Sequence, residues 1–184
     1  SKLQTVICTS ATLDLNDDFA FWGTRVGLPY DEERPFLKGA FLSPFDYPNR
    51  VMLLTPSDAP LPAKDIEEGY VQYLCSSIFN AVLSSGGGAL VLFTSYAMLK
   101  RVKAALEQQF ETEHLTLLAQ GEMDRYTLLS TFIAEKDSTL FATSSFWEGV
   151  DAPGDTLRLV IIAKLPFTVP SDPVFKARCE AIDK

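Results

Sequence analysis

Hydrophobic residues along the chain alternate between short continuous runs and longer stretches with the spacing of a helix. The continuous runs predict strands, and they lie at Val6–Cys8, Val51–Leu54, Ala89–Phe93, Leu115–Leu118, Thr139–Ala142 and Leu157–Ala163. The helically spaced stretches predict helices, and they lie at 16–26, 64–84, 95–109, 123–134 and 172–182. Strands that alternate with helices predict an α/β fold with a mainly parallel central sheet.

Glycines, prolines and small polar residues mark where these elements begin and end. Gly86-Gly87-Gly88 should end the helix at 64–84, since glycine favours helix ends and turns. Ser95 is placed to cap the helix that it begins. Residues 28–50 contain four prolines and should be irregular. The phenylalanines of this stretch must still be buried; they are Phe36, Phe41 and Phe45.

The length and composition are typical of a small globular protein. The 184 residues are 47% hydrophobic and 22% charged, which is enough apolar material for a core and too much for a disordered chain. We expect a single domain over residues 1–184. The sequence has no membrane-spanning run and no signal-peptide pattern, so we expect a soluble, cytoplasmic protein.

Charge and cysteine content exclude some classes of function. The 24 acidic residues outnumber the 16 basic ones, which argues against a free-standing nucleic-acid binder, because phosphate contacts need clustered Lys and Arg. Any contact with DNA should therefore come from a local patch or a partner domain. Cys8, Cys75 and Cys179 lie far apart, which favours buried, reduced thiols over a disulfide scaffold or a zinc site.

Polar segments follow four of the predicted strands, at the edge where ligands bind in sheets of this type. Three are rich in hydroxyl groups that can donate to phosphate oxygens, and the four segments are Thr9–Leu13, Thr94–Tyr96, Thr143–Asp151 and Lys164–Phe167. Serine and threonine also cap helices and form turns, so Ser95 has that ordinary alternative. The loop Phe146–Asp151 combines two aromatic residues, two acids and a glycine, and this combination favours a functional role.

These segments resemble the motifs of a known family, in the same order along the chain. Thr9-Ser10-Ala11-Thr12-Leu13 is similar to helicase motif III, and Leu90–Tyr96 is similar to motif IV. Ser145–Gly154 is similar to motif V, and it is followed by the similar stretches Ile161–Phe167 and Pro170–Pro173. The set resembles the second motor domain of the DinG/XPD branch of superfamily 2 DNA helicases, and Ser43-Pro44-Phe45-Asp46 resembles the bacterial DinG side.

The resemblance implies a RecA-like, three-layer α/β domain of the P-loop NTPase type. In such motors ATP and Mg²⁺ bind between two RecA-like domains, and single-stranded DNA crosses both. The residues it implies in ATP coupling are Thr9, Ser10, Thr12, Glu148, Gly149 and Asp151. The residues it implies in DNA binding are Ser95, Tyr96, Thr143, Ser144, Ser145, Phe146, Trp147 and Lys164. Phe146 and Trp147 could instead pack beneath their loop, and Lys164 could simply end its strand.

Other expected parts of such a motor are absent from the sequence. There is no phosphate-binding G-x-x-x-x-G-K-[ST] loop, no matching acidic box on a buried strand and no arginine-rich motif VI. The resemblance therefore implies a fragment of an ATP-dependent DNA helicase that acts in repair or replication, with an N-terminal motor domain as its partner. We expect the fragment alone to be monomeric and inactive. The iron–sulfur cluster of many members belongs to the other motor domain.

Two alternatives stay open at this point. The first is a DinG-like ATPase or nucleic-acid-binding module that does not unwind DNA and is attached to an exonuclease. The second is a small-molecule enzyme on a doubly wound sheet, which needs a G-x-G-x-x-G turn that Thr9–Leu13 lacks. The only histidine, His114, has no nucleophile or metal ligand beside it in the sequence, so we expect it at the surface or at a strand edge.

Overall fold

The computed structural model describes residues 5–11, 13–14, 18–27, 37–60, 67–167 and 173–182. The chain divides into two compact units, Ser1–Thr55 and Pro56–Lys184. Thr12, Phe36 and the predicted starts of three helices, at 16, 64 and 172, lie outside the described residues.

In the first unit the described residues form two short helices, α1 (Ala20–Arg25) and α2 (Tyr47–Arg50). The strands predicted at Val6–Cys8 and Val51–Leu54 are wrong, because both segments are exposed and neither pairs with another strand in the part of the chain that the structure describes. A short apolar run becomes a strand only when a neighbouring strand supplies hydrogen-bond partners. Burial was also wrongly expected for two phenylalanines, since Phe41 is 94% and Phe45 69% exposed.

The second unit is built around a four-stranded sheet, and all its pairings are parallel. The strands are β1 (Ala89–Leu92), β2 (Leu117–Ala119), β3 (Thr139–Ala142) and β4 (Leu159–Ile162), in the spatial order β2-β3-β1-β4. Both inner strands, β1 and β3, are fully buried, as the continuous apolar runs predict. The α/β fold class with a parallel central sheet is confirmed.

The described part of this unit has four α-helices: α3 (Glu67–Ser85), α4 (Tyr96–Thr112), α5 (Arg125–Ala134) and α6 (Pro173–Ile182). Two single-turn 3-10 helices lie at Ser144–Phe146 and Gly154–Thr156. The predicted glycine stop is confirmed, because α3 ends at Ser85 and Gly86 follows with a positive φ of 65°. The predicted start of α4 is also confirmed, with Ser95 as its N-cap.

The sheet is covered on both faces, which gives the three layers expected of a RecA-like domain. One face forms a first core cluster with α3 and α4, in which Val91, Phe93 and Phe141 pack among residues such as Ile78 and Val102. The other face forms a second core cluster, where α5 packs on the sheet; its buried members are Leu90, Leu92, Leu118, Leu128, Phe132, Leu140, Ala142 and Phe146.

The three cysteines and the histidine are exposed or only partly buried. The three cysteines are free, but only Cys75 is even half-buried, while Cys8 and Cys179 are exposed, so their expected burial is wrong. Burial raises the pKa of the Cys75 thiol. His114 is exposed, as expected. None of the helices in the described part of the chain is long and apolar enough to cross a membrane.

Candidate nucleic-acid interface

The loops that follow the strands meet at one edge of the sheet, because the strands are parallel. We call this edge the carboxyl rim and define it as residues 94–96, 120–124, 143–149 and 163–167. The link between the loops after β2 and β3 is the side chain of Gln120. Its Oε1 accepts from Thr143 N at 2.7 Å and from Thr143 Oγ1 at 2.9 Å. Its Nε2 donates to Ser145 Oγ at 2.8 Å.

The loop after β1 brings Ser95 and Tyr96 to the same rim. Ser95 Oγ accepts from Met98 N at 3.3 Å, so the helix-capping alternative is correct for this residue. Ser95 is still an exposed residue. The Tyr96 ring is partly exposed and lies beside Gly121, where an added Cβ would be 3.7 Å from Tyr96 Cε1. The loops after β1, β2 and β3 therefore form one continuous surface.

Phe146 is placed beneath this surface and is only 2% exposed. It packs in the second core cluster, and the Arg125 guanidinium carbon lies 5.0 Å from its ring centre. The predicted role of its side chain in DNA binding is therefore corrected: no ring face is left for a base, and the packing alternative is the one observed.

Arg125 also reaches the loop that Phe146 supports. Its Nη2 donates to the Glu148 carbonyl oxygen at 3.4 Å. The next residue, Gly149, has a φ of +70°, a conformation that other L-residues rarely adopt. The Glu148 side chain is exposed. Arg125 thus fixes the backbone of this loop and leaves the acid free to face solvent.

Trp147 and Asp151 lie on the segment that leads from the carboxyl rim toward β4. Trp147 packs against the second core cluster, and its Nε1 is buried without a hydrogen-bond partner among the described residues. Val150 and Ala152 pack against the same cluster, while Asp151 between them is exposed. Ser95 and Ser145 therefore share the rim, and Asp151 lies on the segment that leaves it.

Lys164 lies at the end of β4 and is exposed. Its position is set from α3, because the buried hydroxyl of Tyr70 donates to the Ala163 carbonyl oxygen. Burial raises the pKa of that Tyr70 hydroxyl, which keeps it protonated and able to donate. Since β4 pairs with β1 in parallel, Lys164 follows a strand adjacent to β1, and Ser95 lies in the loop after β1.

The residues that resemble motif III lie in the first unit. Thr9 and Ser10 are exposed there, and Thr12 lies outside the described residues. Without a strand at Val6–Cys8, these hydroxyl groups do not follow a strand, contrary to our expectation. Their proposed role in ATP coupling stays a prediction.

Sequence reasoning missed Gln120, Arg125 and Tyr70. Gln120 could have been predicted from the sequence, because it directly follows a strand. The residues predicted to bind DNA were selected for the same reason. Gln120 was missed because the strand predicted at Leu115–Leu118 ends one residue before the observed β2. Tyr70 and Arg125 act through partners distant in sequence, so no local pattern indicates them.

One lysine close to the rim is paired with two glutamates. Lys103 of α4 lies 2.6 Å from Glu107 and 3.0 Å from Glu122, measured from Nζ to a carboxylate oxygen. The hydrogen bond to Glu107 is the main cause that raises the pKa of Lys103. Among the residues that the structure describes, no group of three or more His, Cys, Asp and Glu side chains is placed to hold a metal ion.

Comparison with known proteins agrees with this geometry. The family described as helicase C-terminal domain matches residues 78–184. The chain is 40% identical over 175 residues to the "ATP-dependent DNA helicase YoaA" of Escherichia coli K12, covering 95% of this chain and 26% of that protein. It is 39% identical over 181 residues to the protein of the same name in Haemophilus influenzae, covering 98% of this chain and 26% of that protein.

A third relative is named for a different activity. The chain is 33% identical over 186 residues to the "3'-5' exonuclease DinG" of Bacillus subtilis, covering 100% of this chain and 20% of that protein. The chain therefore spans about a quarter or less of the length of the curated relatives it matches.

Proposed function

We propose that this chain, which belongs to the helicase C-terminal domain family, is the second motor domain of a DinG-type ATP-dependent DNA helicase. The family match, two relatives named ATP-dependent DNA helicases and the parallel sheet support this proposal. In the proposed enzyme, residues 1–184 all belong to one motor domain, and an N-terminal motor domain faces it. The two domains close on ATP and move along single-stranded DNA as ATP is hydrolysed.

The proposal rests on one observation above all: the loops after neighbouring strands meet on a single surface of hydroxyl groups. Gln120 joins the loops after β2 and β3, and Tyr96 lies beside Gly121. Hydroxyl and backbone N–H donors of this kind position a phosphate backbone without reading its sequence. Tyr96 adds an exposed ring on which a base can stack.

The basic groups of the rim make it compatible with DNA despite the net charge of −8. Lys164 follows β4 within the rim, and Arg125 begins α5 directly after the loop that follows β2. Both positive charges lie in or directly beside the rim, and such local charge is what we expected of a DNA contact in a chain with an excess of acidic residues. The proposed DNA-binding residues are thus Ser95, Tyr96, Ser144, Ser145, Trp147 and Lys164, with Thr143 and Phe146 supporting them from below.

ATP coupling is assigned to the exposed loop after β3 and to the hydroxyl residues of the first unit. Glu148, Gly149 and Asp151 lie on that loop or just beyond it, and Thr9, Ser10 and Thr12 complete the proposed set. ATP with Mg²⁺ supplies the free energy through phosphoryl transfer, which depends on positioning and charge stabilisation. The residues of this chain hold one side of the nucleotide, and an iron–sulfur cluster, where present, belongs to the N-terminal motor domain.

DNA binding is tested with two lysines at opposite edges of the sheet. Lys164 follows β4 at the carboxyl rim, whereas Lys136 precedes β3 at the other edge, and both are exposed. In the complete polypeptide that contains this chain, Lys164→Ala should weaken binding to single-stranded DNA and reduce the salt dependence by about one phosphate contact. Lys136→Ala removes the same charge and should leave both unchanged. Equal effects of the two substitutions would contradict the proposed surface.

ATP hydrolysis is tested by comparing the complete polypeptide with the 184-residue chain. The complete polypeptide should show ATPase activity that single-stranded DNA stimulates, and the chain alone should show none, because it holds only part of the site. DNA-stimulated ATPase activity of the chain alone would contradict a motor made of two halves. The alternative of a non-unwinding module attached to an exonuclease is not favoured, because two more similar relatives are named DNA helicases.

A further inference from the structure

We propose that Gln120 is a positioning residue that turns the Ser145 hydroxyl into a hydrogen-bond donor for a phosphodiester oxygen of the bound strand. This inference rests on the proposed function, because it concerns how the same rim holds DNA. Gln120 is half-buried at the end of β2 and would not itself touch the DNA.

The orientation of the Gln120 amide follows from its contact with a backbone group. Thr143 N–H can only donate, so the atom 2.7 Å from it must be the amide oxygen. The Thr143 hydroxyl donates to the same oxygen at 2.9 Å. With the oxygen fixed there, the amide nitrogen must face Ser145 Oγ, 2.8 Å away. The positions of the oxygen and the nitrogen in the Gln120 amide are therefore fixed by these hydrogen bonds.

This orientation determines which way the Ser145 hydroxyl donates. The amide nitrogen of Gln120 has only protons to offer, so Ser145 Oγ accepts that bond. The hydroxyl proton of Ser145 cannot point at Gln120 and is directed elsewhere. Because Ser145 is exposed on the rim, its proton is available to an oxyanion there, and hydrogen bonds to charged acceptors are the stronger kind.

The same network gives Thr143 a different role from Ser145. Thr143 is only 5% exposed, and both its backbone N–H and its hydroxyl are directed at Gln120. Thr143 therefore holds the amide in place, and Ser145 makes the contact with the ligand.

The substitution Gln120→Glu separates these roles. A carboxylate at 120 still accepts both Thr143 bonds, which preserves the local fold. It can no longer donate to Ser145, and the Ser145 hydroxyl would then donate inward to the carboxylate. The added charge also repels phosphate, so this contribution has to be measured separately.

A double-mutant cycle isolates the contribution of the hydroxyl. Binding of fluorescein-labelled oligo(dT) of about 20 nucleotides is measured for the complete polypeptide with Gln120→Glu, Ser145→Ala and both substitutions. Gln120→Glu should weaken affinity roughly tenfold or more when Ser145 is present. With Ser145→Ala it should weaken affinity much less, since only charge repulsion remains. Gln108→Glu, an identical change on exposed α4 away from the rim, should have little effect.

Each outcome of this cycle decides one question. If Gln120→Glu weakens binding equally with and without the Ser145 hydroxyl, the positioning role is overturned while the proposed function stands. If the unsubstituted protein does not bind oligo(dT), the proposed function fails and this inference fails with it. Thermal unfolding shows whether Gln120→Glu is folded.

A second comparison avoids any substitution at Gln120. Ser144 and Ser145 are neighbouring exposed serines, but only Ser145 accepts from the Gln120 amide. Ser145→Ala should weaken oligo(dT) binding several-fold more than Ser144→Ala. Equal losses would overturn the proposal independently of the cycle.

Discussion

The guanidinium carbon of Arg125 lies 5.0 Å from the centre of the Phe146 ring, and the same side chain donates to the Glu148 carbonyl oxygen. A cation over an aromatic face is a favourable contact, and here it connects the first turn of α5 to the loop after β3. Phe146 therefore supports the rim from beneath and does not contact a base.

Substitution of Phe146 should change stability much more than DNA binding. Phe146→Ala removes a buried ring from the second core cluster, and we expect the free energy of unfolding to fall by about 3 kcal/mol or more. Phe146→Leu fills most of the space without an aromatic face. Its affinity for oligo(dT), corrected for the folded fraction, should stay close to that of the unsubstituted protein. A loss of about 1 kcal/mol or more, typical of a stacking residue, would contradict the packing role.

Two substitutions at Ser95 separate its capping role from a phosphate contact. Ser95→Ala removes the acceptor for Met98 N and should lower the free energy of unfolding by about 1 kcal/mol. Ser95→Asp retains a cap but places a negative charge at the rim, so stability should be retained while binding to single-stranded DNA weakens. Chemical denaturation and oligo(dT) titration measure the two effects. Unchanged binding by Ser95→Asp would restrict Ser95 to capping.

Arg158 should contribute to stability and not to DNA binding, because it lies at the opposite edge of the sheet from the rim. Its guanidinium donates to the carbonyl oxygens of Gly86 at 2.7 Å and Asp155 at 2.8 Å, and to Asp137 Oδ1 at 2.9 Å. Lysine cannot reproduce this fork, so Arg158→Lys should lower the free energy of unfolding by about 2 kcal/mol.

The matched control for Arg158→Lys is Arg101→Lys, at an exposed ion pair with Glu68. Exposed pairs contribute little, so this change should be close to neutral. Urea denaturation compares the two variants, and oligo(dT) affinity should be unchanged by Arg158→Lys. Similar losses of stability in both variants would show that the carbonyl contacts of Arg158 do not contribute measurably to the free energy of unfolding.

Asp124 should give the protein part of its acid sensitivity. It caps α5, and its hydrogen bond from the Thr127 hydroxyl is the first of the causes that lower its pKa below the ordinary value of 3.8. Because the pKa of Asp124 is lower in the folded state than in the unfolded state, the ionised carboxylate stabilises the fold at any pH above the unfolded-state pKa. This stabilisation is lost as the pH falls through the folded-state pKa.

Replacing Asp124 with asparagine removes that dependence on pH while keeping a helix cap. The difference in melting temperature between the two proteins should be constant near neutral pH and should change only below about pH 4. There the melting temperature of the unsubstituted protein should fall faster than that of Asp124→Asn. Parallel curves throughout the acid range would show that Asp124 does not titrate with folding.

The elements between residues 86 and 163 could be predicted because local signals agree there. The strand at Thr139–Ala142 has the predicted bounds, and Ser95 begins α4 as expected. The strand around Leu117 was predicted to begin two residues and to end one residue too early. Leu115 N donates to Phe110 O at 2.8 Å, so Leu115 helps to end α4 and cannot begin β2.

The remaining features depend on contacts that no local pattern encodes. Val6–Cys8 and Val51–Leu54 have the composition of strands, but neither pairs with another strand among the described residues. At the candidate site, proximity of the loops could be predicted from the parallel sheet. The hydrogen bonds of Gln120 could not, because they require β2 and β3 to be aligned in their actual register.

Gly87 allows the turn before β1 to pack closely against the turn before β3. Its φ is +81°, and a Cβ at this position would lie 1.9 Å from the Asp137 carbonyl oxygen. Even alanine would push apart the two turns that lead into the central strands. In a library containing all single substitutions, position 87 should therefore accept glycine alone, although it lies far from every residue proposed to contact DNA.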